Sequence, residues 1–478
     1  MSSLPARPRL ATHVLPRRHV VDGEERVVLH DLGTGRLVQI GLREWGLLAA
    51  SDGTRDLEGI VLAAAREGAH ARAPALEAFL AQLHAAGMLE DGVEEPSPEA
   101  TVRSAYEGED DPAARPLEPL PDFSLTCDGS GSCCRFYGSV IFGPVEAARA
   151  RALLPMVRDG GARHERVFMP ERGSGPTGGA AVTYCEGRCA YLGDDDLCAL
   201  HAAGGPAAKP VVCQTFPATF VDDGESVRVS VAVECACVLA SVERAGGAAL
   251  VPAGARVRGD LDATLVVDRL DDHVMVTAAR VVPRAAFVAW SRAVSRAPRA
   301  PDTAAALLAL ARSVASDGLD EAAAAQAMAS PAAMRPEDVE AWADALAQRA
   351  ARRAREDATW RSERDLVLRA AGWLATAAGA LADRETAAAL LTQPPAAPRS
   401  EQFYLEALLH GHRLAGGRPL AIELHDRAVR IVVARALGHV LAGAPAEEMD
   451  PAAAHPLALV EAMMRGHGLD GYVDDVVG

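Results

Sequence analysis

Lysine is almost missing from this chain: of 48 basic residues only Lys209 is a lysine, and all the others are arginine. With the abundance of Ala and Gly, this is the composition that a GC-rich coding bias produces. A basic excess is missing too. The net charge is −17, which excludes a broad nucleic-acid-binding surface as the main business of the protein. Long hydrophobic runs are missing: no window approaches eighteen uninterrupted apolar residues, so no transmembrane helix is expected. Residues 1–21 carry several Arg but no apolar stretch, so no secretory signal is expected and the reading is cytoplasmic. Cysteine is absent from three quarters of the chain.

The remaining quarter holds all nine cysteines: Cys127, Cys133, Cys134, Cys185, Cys189, Cys198, Cys213, Cys235 and Cys237. Thiols gathered in this way bind a metal, form disulfides or do redox chemistry. A reducing compartment and an odd count both weaken the disulfide reading, so all nine are candidate metal ligands.

The chain reads as an α+β multidomain protein. Residues 9–90 form a small winged-helix-like domain with β-type runs at His13–Val21, Arg26–His30 and Arg36–Ile40, the last two joined through the turn residues 31–35. Helical periodicity follows at Leu42–Ala50, Leu57–Arg66 and Pro74–Ala86. Residues 91–121 have nine acidic residues against two Arg, and six prolines, and read as an acidic linker without a core. Residues 122–282 are an irregular cysteine-rich domain of short strands. Its expected elements are a Pro144–Leu154 helix, a hairpin pairing Phe220–Val221 with Val227–Val233, and a second hairpin through Thr264–Asp268 and His273–Val276. The glycine-rich segment 173–179 lacks a phosphate-loop ending and reads as a loop. Residues 283–478 are all-helical, with helices expected at 284–296, 302–316, 336–355, 363–382, 401–414, 421–441 and 456–466. The histidines scattered through this region, His410 and His412 among them, read as surface or satisfied core residues.

The cysteines fall into three pieces: Cys127-Asp-Gly-Ser130-Gly-Ser-Cys133-Cys134; Cys185-x3-Cys189 through Cys198-Ala-Leu-His201 to Lys209-Pro210-x2-Cys213; and Cys235-Ala-Cys237. No paired CxxC knuckle of a zinc finger is present. The C-x3-C start of a radical S-adenosylmethionine motif occurs at Cys185 and Cys189, but Leu192 stands where its third cysteine belongs. Four thiolates would fill one iron–sulfur cluster or one zinc site, and eight would fill two. The adjacent Cys133 and Cys134 are expected to point apart. His201, three residues after Cys198, could reach the same site.

Two resemblances attach to these residues. The segment "C-x-YL…LCALH…KPVVCQTFP" resembles the CxxCxxCC (YkgJ-type) zinc- or iron-chelating family, with Ser130 where that family has its second cysteine. "CAYLGDDDLCALH", the late cysteine pair and "FYLEALLHGHRL" are similar to the flagellin lysine N-methylase family. That likeness implies methyl transfer from S-adenosylmethionine to a protein lysine. In residues 9–90, "VVLHDLGTGRLVQIG" and the elements after it resemble the PqqD-like domain, the recognition element of peptide-modifying systems. This implies a peptide or protein partner docked beside Arg36–Ile40 and the 74–86 helix. The expectation is a protein that binds an iron–sulfur cluster or zinc and modifies a recruited peptide. The rival is a non-catalytic metal carrier, sensor or redox partner.

Overall fold

The computed structural model describes residues 4–31, 36–66, 68–92, 111–136, 140–154, 157–159, 162–164, 168, 180–244, 246–357, 366–392, 398–443 and 455–466. They belong to two units: Met1–Asp110, Cys133–Pro210 and Glu356–Leu368 in one, Asp111–Ser132, Val211–Arg355 and Arg369–Gly478 in the other. The architecture is mixed α+β with a helical C-terminal region. No single helix among the described residues is long and apolar enough to cross a membrane; Leu366–Ala382 and Arg384–Leu391 reach that length only as a pair bent by 95°.

In the first unit, Asp22 and Gly23 both take positive φ, 51° and 77°. That is the twist a two-residue hairpin requires, and Asp-Gly supplies it at low steric cost. They join Val14–Val21 to Glu24–Asp31 in unbroken antiparallel register, Val14↔Asp31 to Val21↔Glu24. Leu37–Ile40 adds on the far side of this hairpin. The full order is Arg188–Cys189, Tyr184–Cys185, Val14–Val21, Glu24–Asp31, Leu37–Ile40. The helices Leu42–Leu48, Leu57–Arg66 and Ala73–Ala85 cover it. Ile60, Leu76 and Leu80 are wholly enclosed there, each burial contributing roughly 1.5–3 kcal/mol.

A linear scan misses how this sheet grows. Tyr184–Cys185 pairs in parallel with His19–Val20, so part of the cysteine-rich region is built onto the N-terminal hairpin. The division into a 9–90 domain and a 122–282 domain therefore gives way to interleaved segments. The turn 32–35, the 173–179 segment and linker residues 93–110 lie outside the described residues. Within the expected linker, Leu117–Pro119 is a strand and Leu120 is buried.

In the second unit that strand lies parallel to Val227–Val229, giving the order Asp268–Arg269, Ala218–Asp222, Val227–Val231, Leu117–Pro119. Pro119 costs little on an edge strand, where no ladder partner needs its missing N–H. The expected second hairpin is displaced. His273–Thr277 pairs with Arg280–Pro283, while Asp268–Arg269 joins the other sheet. Val227–Val231 is buried on both faces: Val227, Val229 and Val231 face the apolar core. On the opposite face Ser230 donates to the Ala407 carbonyl at 2.7 Å and Arg228 pairs with Glu118 at 2.7 Å.

The helix Leu420–Ala442 is the axis of the helical region and packs on Thr303–Asp317 and Pro456–Gly466. Its polar residues are buried in compensating pairs. Arg430 meets Asp426 at 2.7 Å and Glu461 at 3.0 Å, and Arg427 meets Glu461 at 2.7 Å. Removing one partner of such a pair costs about 3–5 kcal/mol, because the other charge stays buried. Two helices escape the sequence reading, Glu321–Ala329 and Arg384–Thr392. The first is capped by Asp320, which accepts from the Ala323 N–H at 2.8 Å.

Candidate metal centre

The loop that begins at Cys127 is shaped by Gly129 and Gly131, both at positive φ. It turns back so that the Ser130 N–H donates to Asp128 Oδ1 at 3.0 Å. Opposite it, Cys235 precedes the short helix Ala236–Ser241 and Cys237 lies in its first turn. The two segments are stitched together. Ser241 Oγ accepts the Thr126 N–H at 2.9 Å and donates to the Cys237 carbonyl at 2.6 Å. Leu125 and Ala248 exchange two backbone hydrogen bonds, at 2.8 and 2.7 Å.

This stitching gathers Cys127, Asp128 and Cys237 with their ligand atoms all within 4.8 Å of one another. Cys237 Sγ donates to Asp128 Oδ1 at 3.1 Å. The hydrogen bond with Cys237 pushes the Cys127 thiol well up. Cys237 itself is pushed up to about 12: the bond with Cys127 favours its thiolate, but Cys235 and burial outweigh it. Burial alone would raise Asp128, but hydrogen bonds from Ser130 and Cys237 hold it below the usual carboxylate range. Burial lowers His455, against the attraction of the Asp128 charge. With metal–ligand bonds of about 2.0–2.3 Å, tetrahedral donors stand about 3.3–3.8 Å apart, so this donor set would close on one ion after a contraction of about 1 Å. Two sulfurs and a carboxylate suit zinc or another borderline cation. Among the described residues this is the one group of three such donors so close together.

The first unit treats its cysteines differently. Cys185 and Cys189 sit on the two strands of a tight hairpin and are buried. They belong to an apolar cluster with Phe142, Phe168, Tyr184 and Tyr191, against which Cys134 and Cys198 pack. The loop from Cys189 to Cys198 closes on itself. Gly193 donates to Leu197 at 2.8 Å, and Ala199 donates to Tyr191 at 2.8 Å. Burial, then the nearby Cys189 and Cys198, push the Tyr191 hydroxyl well above its ordinary pKa. Cys133 and Cys134 do not point apart as expected: their sulfurs are 4.0 Å from each other. Both lie in the short helix Ser132–Phe136, where neighbouring side chains can rotate toward one another.

Cys213 is half-buried on the short helix Val211–Thr215 and lies outside the three-donor group. His201 is exposed on the helix Ala199–Gly204. Asp128 is the ligand-type residue that sequence reasoning missed. Its signal was its position directly after Cys127, in a loop whose glycines let the chain fold back. Comparison with protein-family models, with curated proteins and with solved structures finds no match to this chain.

Proposed function

We propose that the protein binds a metal through its cysteine-rich segments and acts on a peptide or protein held by residues 9–90. The observation that carries the metal is the grouping of Cys127, Asp128 and Cys237 within 4.8 Å. Three ligand-type donors in one place suit a cation, and the mixed sulfur and oxygen set favours a single zinc-like ion there. Cys235, two residues before Cys237, is buried beside it but lies outside the three-donor group. A second reading, an iron–sulfur cluster, is favoured by a different observation: Cys134, Cys185, Cys189 and Cys198 surround one apolar cluster, the low-dielectric setting that such centres occupy.

The peptide partner is supported by Leu37–Ile40, which lies at one end of its sheet as a strand to which an extended chain can add. Methyl transfer from S-adenosylmethionine to lysine rests on the resemblance alone. Anaerobic purification of the full chain, followed by metal and sulfide analysis, tests the metal. Stoichiometric zinc that falls by one equivalent in Cys237→Ser supports the first reading, and labile sulfide with iron supports the second. A protein holding neither metal, while still folded, would sink both. Calorimetric titration with S-adenosylmethionine then tests the reaction class, and absence of binding to the metal-replete protein removes methylation.

A further inference from the structure

Cys127 and Cys237 differ in a way that holding an ion does not call for. Cys127 is exposed and Cys237 is buried, and both are free thiols. Their sulfurs lie within 4.8 Å of each other and share a hydrogen bond. The chain is anchored on one side of Cys127. Ser241 Oγ accepts the N–H of Thr126, the preceding residue, at 2.9 Å and donates to the Cys237 carbonyl at 2.6 Å. On the other side Gly129 and Gly131 both take positive φ, in a stretch where the backbone bends without a side-chain clash. Cys127 thus stands where a fixed segment meets a pliant one. Its sulfur can close the remaining gap, down to the roughly 2.05 Å of a disulfide, while the segment before it stays in place.

An exposed thiol beside a buried one suits thiol–disulfide exchange: the first meets the oxidant and the second resolves the product. The other close cysteines lack this division. Cys185 and Cys189 are both buried. Cys133 and Cys134, with sulfurs 4.0 Å apart, are adjacent residues on one short helix, and a bond between them would distort its backbone.

We propose that Cys127 and Cys237 form an exchange site for small disulfides, and that the resulting cross-link displaces the ion proposed above. The displacement rests on the metal reading; the exchange site does not. With oxidised glutathione the Cys127 thiolate attacks one sulfur of the oxidant, forming a mixed disulfide and releasing one glutathione thiolate. The Cys237 thiolate then attacks Cys127 Sγ and releases the second. The two cysteine protons end on two glutathione thiols, and the two electrons the cysteines lose reduce the disulfide of the oxidant. The thiolate is the metal ligand, and neither sulfur of the cross-link is one, so cross-link and ion exclude each other.

The test incubates the metal-free full chain with oxidised glutathione, blocks the remaining thiols and maps peptides by mass spectrometry without reduction. The neighbours that push both thiols up slow the reaction, so it is run at about pH 8. The Cys127–Cys237 cross-link should dominate, and dithiothreitol should remove it. Cys127→Ser should abolish it, and Cys235→Ala should leave it as in the wild type. In Cys237→Ser the mixed disulfide should accumulate on Cys127, because the thiol that resolves it is gone. Zinc-loaded protein should release one equivalent of zinc to a chromogenic chelator in step with the cross-link. A cross-link in a protein that never binds zinc supports the exchange site and removes the ion. Zinc binding with Cys127 and Cys237 still open to alkylation after long exposure to the oxidant overturns the exchange site and leaves the metal reading standing. A mixed disulfide that settles on another cysteine in Cys237→Ser overturns it as well.

Discussion

Cys185 and Cys127 carry the same thiol into opposite surroundings. Cys185 is buried beside Tyr184 in an apolar cluster, on a strand paired with the N-terminal hairpin. Cys127 is exposed in a loop held by glycines, with Asp128 and Cys237 as neighbours. A buried cysteine is a small hydrophobe as well as a ligand, so it is held in place whether or not a metal is bound. An exposed one contributes little packing, so under the metal reading proposed above any stability it brings would come from the ion. Clustering in the sequence therefore gathers two kinds of cysteine under one heading.

The sharpest way to break this comparison is to remove residues 1–90. The Tyr184–Cys185 strand would lose its parallel partner, and Val20 would leave the cluster that holds Cys185 and Cys189. Hydrogen exchange across 180–200 should rise to the level of an unfolded chain. If that protection persists, the cysteine hairpin folds alone and the first unit has been misread.

Next in size is Cys185→Ser, which places a hydroxyl in the apolar cluster. It should cost about 1–3 kcal/mol in denaturant unfolding, with or without chelator. Cys127→Ala is the counterpart. It should change the stability of chelated protein by less than about 0.5 kcal/mol, yet abolish the metal-dependent part of the stability. Equal effects of the two variants in chelator would erase the distinction.

The pH dependence is a gentler probe. Burial lowers the pKa values of His410, His412 and His425 in the folded protein. The unfolded chain then takes up protons first, so stability should decline as the pH falls below about 6.5, the ordinary histidine value. Asp223 acts at lower pH. Burial would raise it, but hydrogen bonds from His412, Ser226, Glu225 and Arg228 hold it well below the usual carboxylate range. Its stabilisation is complete above about pH 4 and is lost as the pH falls toward the folded value. A stability curve flat from pH 7 to 5 would contradict the burial of these imidazoles.

Local chemistry was legible in the sequence and long-range pairing was not. The helices Leu57–Arg66, Arg284–Arg296 and Pro456–Gly466 begin and end where periodicity and capping residues place them. The strands on either side of Asp222-Asp223-Gly224 are likewise where the turn puts them. Glu321–Ala329 was missed because nine residues rich in alanine give almost no amphipathic signal. Leu117–Pro119 was missed because its acidic, proline-rich neighbourhood has the composition of a tether. Its partner Val227 lies more than a hundred residues away, beyond the reach of any local pattern. At the candidate centre the cysteines were visible, but Asp128 was not, since a carboxylate becomes a candidate ligand only once folding brings sulfur beside it. The inward turn of His412 was hidden for a similar reason: it depends on Gly411 meeting Ser230.

The parallel pairing of His19 with Tyr184 also sets an order of events during synthesis. Arg18, which donates to Thr183 Oγ1 at 3.3 Å, precedes that partner by 165 residues. At about 5–20 residues per second, the ribosome takes roughly ten to thirty seconds to deliver the strand that completes this edge. Throughout that interval the Val14–Val21 strand offers a row of unsatisfied backbone groups to any chain nearby. A chaperone or a neighbouring nascent chain that captured this edge would leave Cys185 and Cys189 without the sheet they are built on. The yield of correctly assembled protein should therefore rise when translation between residues 21 and 184 is fast.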